Sequence, residues 1–378
     1  MATVNIDKLL EACINSGASD LHLHVGRQPT LRLHGRLRPL ETKVLEPEDT
    51  VAMMEAITPE RGQQDLQERK GTEFGFDFRS GSGGRFRTAI FHQRGNISLT
   101  LRLIPTKLFT IEEIGLPQIV KSLVRRPRGL FLVTGPTGSG KTTTLATLID
   151  YVNTHFDRHI VTVEDPIEYF HQHKKSIVTQ REVGVDVPSF SEALVRVLRM
   201  DPDCIMVGEL RDLETIESGI RAAETGHLVF STLHTTTAQG TVTRIVDQFP
   251  VDQQEQIRIQ LAETLVAVLC QTLIPRADIR GRVAAYEFLV SNSAIANLIR
   301  ENKTFRIPSS IQTGKKFGMQ MLDDHIFRLF CEKKISEGEA LDHCQNPSEL
   351  QEKIEALRGG RLAAAEPVDL AAEAGSKG

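Results

Sequence analysis

The chain has 378 residues, 40% hydrophobic and 25% charged, a balance that suits a globular protein of about two domains. Its formal net charge of −4 lacks the basic surplus of a dedicated nucleic-acid binder, so no nucleic-acid partner is expected. No run approaches the ~18 apolar residues that span a bilayer, and Cys13, Cys204, Cys270, Cys331 and Cys344 include no pair spaced for a thiolate metal site.

In chain order, MATVNIDKLLEACINSG reads as a short amphipathic helix, not as a basic start followed by an apolar leader. SDLHLH (19–24) and PTLRLHGRLRPL (29–40) alternate with period two, and Gly35 stands where a hairpin turns. His22 and His24 share one strand face, with His34 nearby, but no carboxylate or cysteine spacing completes a metal site. Residues 48–57 and 59–70 read as helices, the second with Pro59 in its first turn. Strands follow at 71–79, 85–93 and 97–104. Residues 1–104 are therefore expected to form a small α+β domain on an antiparallel sheet.

PTKLFTIEEIGL (105–116) opens with proline and contains Gly115, which suits a linker and hinge. From residue 117 to 357 the pattern becomes α/β. GLFLVT (129–134), HIVTVE (159–164), CIMVGE (204–209) and HLVFSTL (227–233) are continuous apolar runs separated by helical stretches. Such runs suit strands of a parallel sheet buried on both faces. Helices are expected at 252–274, 292–303, 318–333 and 336–343, with one strand at 282–290. HQHKK (171–175) reads as an exposed basic loop. The tail 358–378 is rich in Ala, Gly and acids and reads as disordered.

Gly135-Pro136-Thr137-Gly138-Ser139-Gly140-Lys141-Thr142 matches G-x-x-x-x-G-K-[ST] in full, between a predicted buried strand and a predicted helix. Glycines let consecutive N–H groups wrap round phosphate oxygens, and the helix start adds partial positive charge. ATP with Mg2+ is the expected ligand. Lys141 is placed on the β/γ-phosphates, the Thr142 hydroxyl on magnesium, and Thr143 extends the phosphate-binding run.

Three further polar segments end predicted strands, where ligands bind in open α/β sheets. Glu164 ends the second strand. Glu209 ends a Walker-B-like strand and is placed to polarise a water, directly or through magnesium. His234 follows the fourth strand among hydroxyls.

GPTGSGKTTT, VEDPIEY, IMVGELRDLETI, AAETGHLVFSTLHTT and RIVDQFP together resemble the secretion ATPase (GspE/PulE) superfamily, over residues 5 to 345. That superfamily drives type II secretion and the assembly and retraction of type IV pili. The opening GASDLHLHVGRQPTLRLHG and the segment AIANLIRE (294–301) resemble its retraction branch, the twitching motility ATPases. Ala296 departs from that branch, which has arginine there.

The resemblance implies a RecA-like P-loop ATPase core behind a PAS-like α+β domain, assembled as a homohexamer with the nucleotide between the two domains. It assigns Glu164 to the Asp box, Glu209 to the catalytic Walker B position and His234 to the His box. It supplies arginine candidates for the γ-phosphate: Arg85 and Arg87 in GRFR, Arg94, and Arg102 in LRLIP. The implied partner is a PilC-like inner-membrane platform protein, so the chain is expected in the cytoplasm, on the inner membrane only through the pilus machinery. A pilus assembly or type II secretion ATPase and a PilU-like accessory retraction motor share this chemistry.

Overall fold

The computed structural model describes residues 5–33, 35–81, 83–104 and 108–359. His34, the first three linker residues (105–107) and nearly all of the expected tail (360–378) lie outside the described residues. The chain divides into two compact units, Met1–Lys107 with Pro166–Phe170, and Leu108–Asp165 with His171–Gly378.

The first unit comprises α1 (Ile6–Asn15), β1 (Asp20–Leu23), β2 (Thr30–Leu33), β3 (Arg36–Pro39), α2 (Pro47–Ile57), α3 (Glu60–Arg69), β4 (Gly71–Phe78), β5 (Gly84–Gln93) and β6 (Asn96–Ile104). Asn5 starts α1 by accepting a hydrogen bond from Asp7 N at 2.7 Å. The strands form one antiparallel sheet in the order β3-β2-β1-β6-β5-β4. Because side chains alternate across a strand, Leu21, Leu23, Leu31, Phe86, Ile90, Leu99 and Leu101 share a core with Leu10, Met53 and Leu66 of the helices. The opposite face carries a cross-strand row in which Asp20 opposes Arg32 and Arg102, and Arg102 opposes Arg87. The hairpin expected at Gly35 is present, with Gly35 at φ +81°. Pro59 caps α3 from outside instead of occupying its first turn, since its ψ of 155° is extended.

The second unit comprises α4 (Ile119–Leu123), β7 (Gly129–Thr134), α5 (Lys141–His155), β8 (His159–Glu164), β9 (Ile177–Glu182), α6 (Phe190–Val197), β10 (Cys204–Val207), α7 (Leu213–Glu224), β11 (Leu228–Leu233), α8 (Ala238–Asp247), α9 (Gln254–Thr264), β12 (Leu265–Pro275), β13 (Arg282–Val290), α10 (Ser293–Arg300), α11 (Ile307–Thr313), α12 (Leu322–Cys331), α13 (Glu337–His343) and α14 (Pro347–Arg358). Its sheet runs β13-β12-β7-β11-β10-β8-β9, parallel except where β13 closes one edge antiparallel to β12. Every residue of β7, β10 and β11 is buried, as continuous apolar runs require between two helical layers. A separate apolar cluster joins Ile274 and Ala285 to Ile326, Leu329, Leu350 and Ile354 of α12 and α14.

Four expectations need correction. The helix expected over 252–274 ends at Thr264, and Leu265–Pro275 is a strand. A broad apolar stripe suits both states, but Leu265-Val-Ala-Val-Leu-Cys is buried on every side between β7 and β13. Residues 108–116, expected as linker, are folded into the second unit, with Ile111 and Leu116 in its core. Thr110 and Glu113 there exchange reciprocal hydrogen bonds of 2.8 and 3.1 Å between backbone N–H and side-chain oxygen. The basic loop 171–175 is exposed at 172–175 as expected but not at its first residue: His171 is buried, and Asn153 anchors Gln172 O and Lys174 N. Burial pushes the His171 imidazole down to about 4. Arg358, the first residue of the expected tail, closes α14.

Candidate active site

Parallel pairing brings the carboxyl ends of β7, β11, β10 and β8 side by side along one edge of the second sheet. The loop 135–140 leaves β7 and opens α5 at Lys141. Gly135 has φ +142°, Gly138 +79° and Gly140 +91°, a backbone path closed to ordinary side chains. Lys141 folds back over the loop, its Nζ donating to Gly135 O at 2.8 Å and Pro136 O at 3.1 Å. Burial lowers the Lys141 pKa, and the charge of Glu209 acts against that shift. The first turn of α5 presents Thr142 and Thr143, both partly exposed.

Glu209 follows β10, and its carboxylate is held at both oxygens. Arg211 Nε lies 2.7 Å from Oε2 and His234 Nε2 3.0 Å from Oε1. The segment is set in place by hydrogen bonds between strand ends. Gly208 N donates to Val163 O at 2.8 Å, Leu210 N to Thr232 O at 3.1 Å, and the Thr232 hydroxyl to Gly208 O at 2.7 Å. Glu164, at the end of β8, is buried, and its Oε1 accepts from the Thr162 hydroxyl at 2.7 Å and from Gln180 Nε2 at 3.2 Å.

The arginine candidates belong to the first unit. Arg85 is buried, its Nη1 2.8 Å from Asp77, its Nε donating to Ile167 O at 2.8 Å and its guanidinium over the Phe170 ring at 4.4 Å. Arg87 pairs at 3.4 Å with Glu73 and at 3.9 Å with Glu168. Arg102 is largely exposed and lies 2.9 Å from Asp20. Arg94 occupies the β5–β6 turn at φ +50°. His22 and His24 stack with centroids 6.1 Å apart.

Sequence reasoning missed Arg211, whose only signal is its place beside Glu209, and Gln271 on β12. Gln271 Nε2 donates to Ser139 O at 2.7 Å, and its Oε1 accepts from the Thr144 hydroxyl at 2.8 Å. A lone amide inside LVAVLCQTLI was the available sign. Beside the loop lies a cavity of about 770 Å³, bounded by Ile114, Gly115, Thr143, Leu273, Tyr286 and Arg328 among others. The Tyr286 hydroxyl donates to Gly115 O, which fixes the cavity wall at the former linker.

A glycine loop between a buried parallel strand and a helix, with a carboxylate at a nearby strand end, defines a P-loop nucleotide-binding core of RecA-like α/β type. Residues 2–323 match the family described as Type II/IV secretion system protein, and the chain belongs to that family. It is 45% identical over 344 residues to the type IV pilus retraction ATPase PilT of Pseudomonas aeruginosa, covering 91% of this chain and 99% of that protein. It is 43% identical over 318 residues to a twitching motility protein of Neisseria gonorrhoeae, covering 84% of each chain. Among solved structures, the pilus retraction motor PilT with bound ADP superposes with a TM-score of 0.86 at 46% identity, over 92% of this chain and 99% of that one. The ATPase DotB of Legionella pneumophila superposes with a TM-score of 0.76 at 28% identity, over 90% and 95% of the two chains.

Proposed function

We propose that this chain is an ATP-hydrolysing motor that powers type IV pilus retraction and works as a homohexamer. The observation that carries the reading is the loop 135–142 on β7 and α5, with Glu209 held at the end of the same sheet by His234 and Arg211. The likeness to a retraction ATPase over nearly its whole length supports the direction of work.

In this reading the N–H groups of Gly138, Ser139 and Gly140 and the Lys141 ammonium bind the β- and γ-phosphates. Water attacks the γ-phosphorus in line, the bond to the β–γ bridging oxygen breaks, and ADP departs. Glu209 orients that water and accepts its proton, with His234 keeping one carboxylate oxygen in position. Glu164 serves as a supporting acid beside it. Arg85, Arg87 and Arg102 are the proposed sources of positive charge for the γ-phosphate, because a planar guanidinium matches spread phosphoryl charge. The cavity beside Thr143 is the proposed seat of the nucleoside.

The donors near the loop fit magnesium. Thr142 and Glu209 offer hard oxygen ligands, directly or through water, and Mg2+ takes most of its remaining shell from phosphate and water. Bound there with the nucleotide, it would neutralise charge on the phosphate oxygens. The proposed partner is a PilC-like inner-membrane platform protein, with membrane contact only through the pilus machinery. An accessory retraction motor is the second reading, favoured by 38% identity over 348 residues to the type IV pilus ATPase PilU of Pseudomonas aeruginosa.

The deciding experiment counts surface pili and scores twitching in a strain deleted for this gene. Abundant pili without twitching support the retraction motor. Loss of surface pili makes the chain an assembly motor, and unchanged twitching with weakened retraction force favours the accessory role.

A further inference from the structure

We infer that Gln271 is the positioning residue of the phosphate loop. The inference rests on the assignment of 135–142 as that loop. Gln271 sits one residue beyond Cys270, which pairs with Thr134 at the end of β7, so β12 runs directly beneath the loop. Its side chain is buried and both ends of its carboxamide are used. Nε2 donates to Ser139 O at 2.7 Å, while Oε1 accepts from the Thr144 hydroxyl at 2.8 Å. Only this orientation of the amide is chemically consistent, because the opposite one would set two oxygens against each other at Ser139.

The contact has a directional effect. In a trans peptide the carbonyl and the following N–H point opposite ways. Fixing Ser139 O toward β12 therefore turns the Gly140 N–H away from β12, toward the side a phosphate would occupy. The second end of the amide ties the same loop to the first turn of α5 through Thr144. One side chain thus sets the angle between the last loop peptide and the helix.

Two loop glycines make room for this residue. A Cβ on Gly135 would lie 2.2 Å from Gln271 O, and a Cβ on Gly140 2.8 Å from Gln271 Nε2. The first is backbone and cannot yield, so Gly135 is needed for the loop to lie on β12 at all. These glycines serve the seat on Gln271 as well as the approach of phosphate.

The test uses the full chain and ADP as the probe. Gln271→Leu keeps the volume and removes both hydrogen bonds; Thr144→Val removes one. The expected result is an ADP affinity lower by about tenfold for Gln271→Leu and by less for Thr144→Val, with a fall in the thermal midpoint of the nucleotide-free protein as well, because Ser139 O and the Thr144 hydroxyl lose a buried partner. Gln271→Glu adds a readout that packing alone would not give. As a carboxylate it repels Ser139 O, and as an acid it can donate to it. Its ADP affinity should therefore start below that of the natural chain near pH 8 and recover as pH falls, with no matching trend in the natural chain.

Affinity within twofold of the natural chain in Gln271→Leu overturns the inference. If that variant does not fold, unchanged affinity in Thr144→Val together with a flat pH profile in Gln271→Glu overturns it instead. Lys141→Ala, measured alongside, separates the two levels. Undiminished ADP binding there sinks the loop assignment itself, whereas loss there with retention in Gln271→Leu sinks only the role of Gln271.

Discussion

Nε2 of His234 lies 3.0 Å from Oε1 of Glu209, and Arg211 takes the other carboxylate oxygen at 2.7 Å. The two strand ends therefore meet in one acid held by two nitrogen donors. Such a carboxylate has its orientation chosen before substrate arrives, which is what a water-positioning group needs.

Replacing Glu209 by Gln should leave ADP affinity within about twofold and lower ATP turnover by at least ~10²-fold. Parallel ADP titration and phosphate-release assays check it, and retained turnover would remove Glu209 as the base.

His234→Ala should lower kcat by roughly tenfold or more with little change in ADP affinity, because the lost bond orients Glu209 and not the phosphates. An equal loss of binding would instead make His234 a phosphate ligand.

Lys141→Ala should weaken ADP binding by ~10-fold or more, since it removes the ammonium folded over the loop. Isothermal titration at moderate salt reads this directly.

Stability of the second unit should decline on the acid side of neutrality. His171 is held down to about 4 and His325 to about 3, in both cases chiefly by burial. Nδ1 of His325 accepts from Tyr286 N at 3.2 Å, a bond that protonation would break. The unfolded chain binds protons at the ordinary value of 6.5 and the folded chain does not. The stabilisation is thus complete above 6.5 and is lost as pH falls from there toward about 4 and about 3. Denaturant midpoints should be lower at about pH 5 than at about pH 7.5, and the difference should shrink in His325→Met. Equal midpoints would contradict the buried neutral imidazoles.

In the first unit, burial acts to raise the Asp20 pKa, but the Ser19 hydroxyl and the Arg102 guanidinium outweigh it and hold the group below 3.8. Its contribution is present above 3.8 and is lost as pH falls through the lower folded value. Asp20→Asn should destabilise this unit by ~2 kcal/mol at neutral pH and flatten that acid limb. A melt insensitive to the substitution would show the Arg32–Asp20–Arg102 row to be ornamental.

Strands buried on both faces announced themselves: β7, β8 and β11 begin and end within one residue of their expected limits, and β10 begins where expected and stops two residues short, because a run such as GLFLVT has no polar face to offer. The loop and the three strand-end groups were readable for the related reason that glycines and acids stand out against such runs. What was not readable depended on partners distant in sequence. From sequence alone β12 reads as helix, because apolarity on all sides suits either state until β7 and β13 are known to flank it. Within a helix expected over 252–274, Gln271 carries no sign of a role at the loop. His171 looked like part of a charged loop, although the Asn153 side chain anchors that loop from α5. The segment Pro166–Phe170 belongs to the first unit through Arg85, which lies 82 positions earlier than Ile167.

The exposed strand β3 consists of Arg-Leu-Arg-Pro, with all four residues open to solvent at the rim of the first sheet. Proline has no N–H to extend a ladder, and two like charges repel a second copy laid alongside. A motor subunit that meets its own copies at high local concentration runs a standing risk of fibrous stacking through open backbone. Arg36, Arg38 and Pro39 make this border a poor template for strand pairing with a second copy.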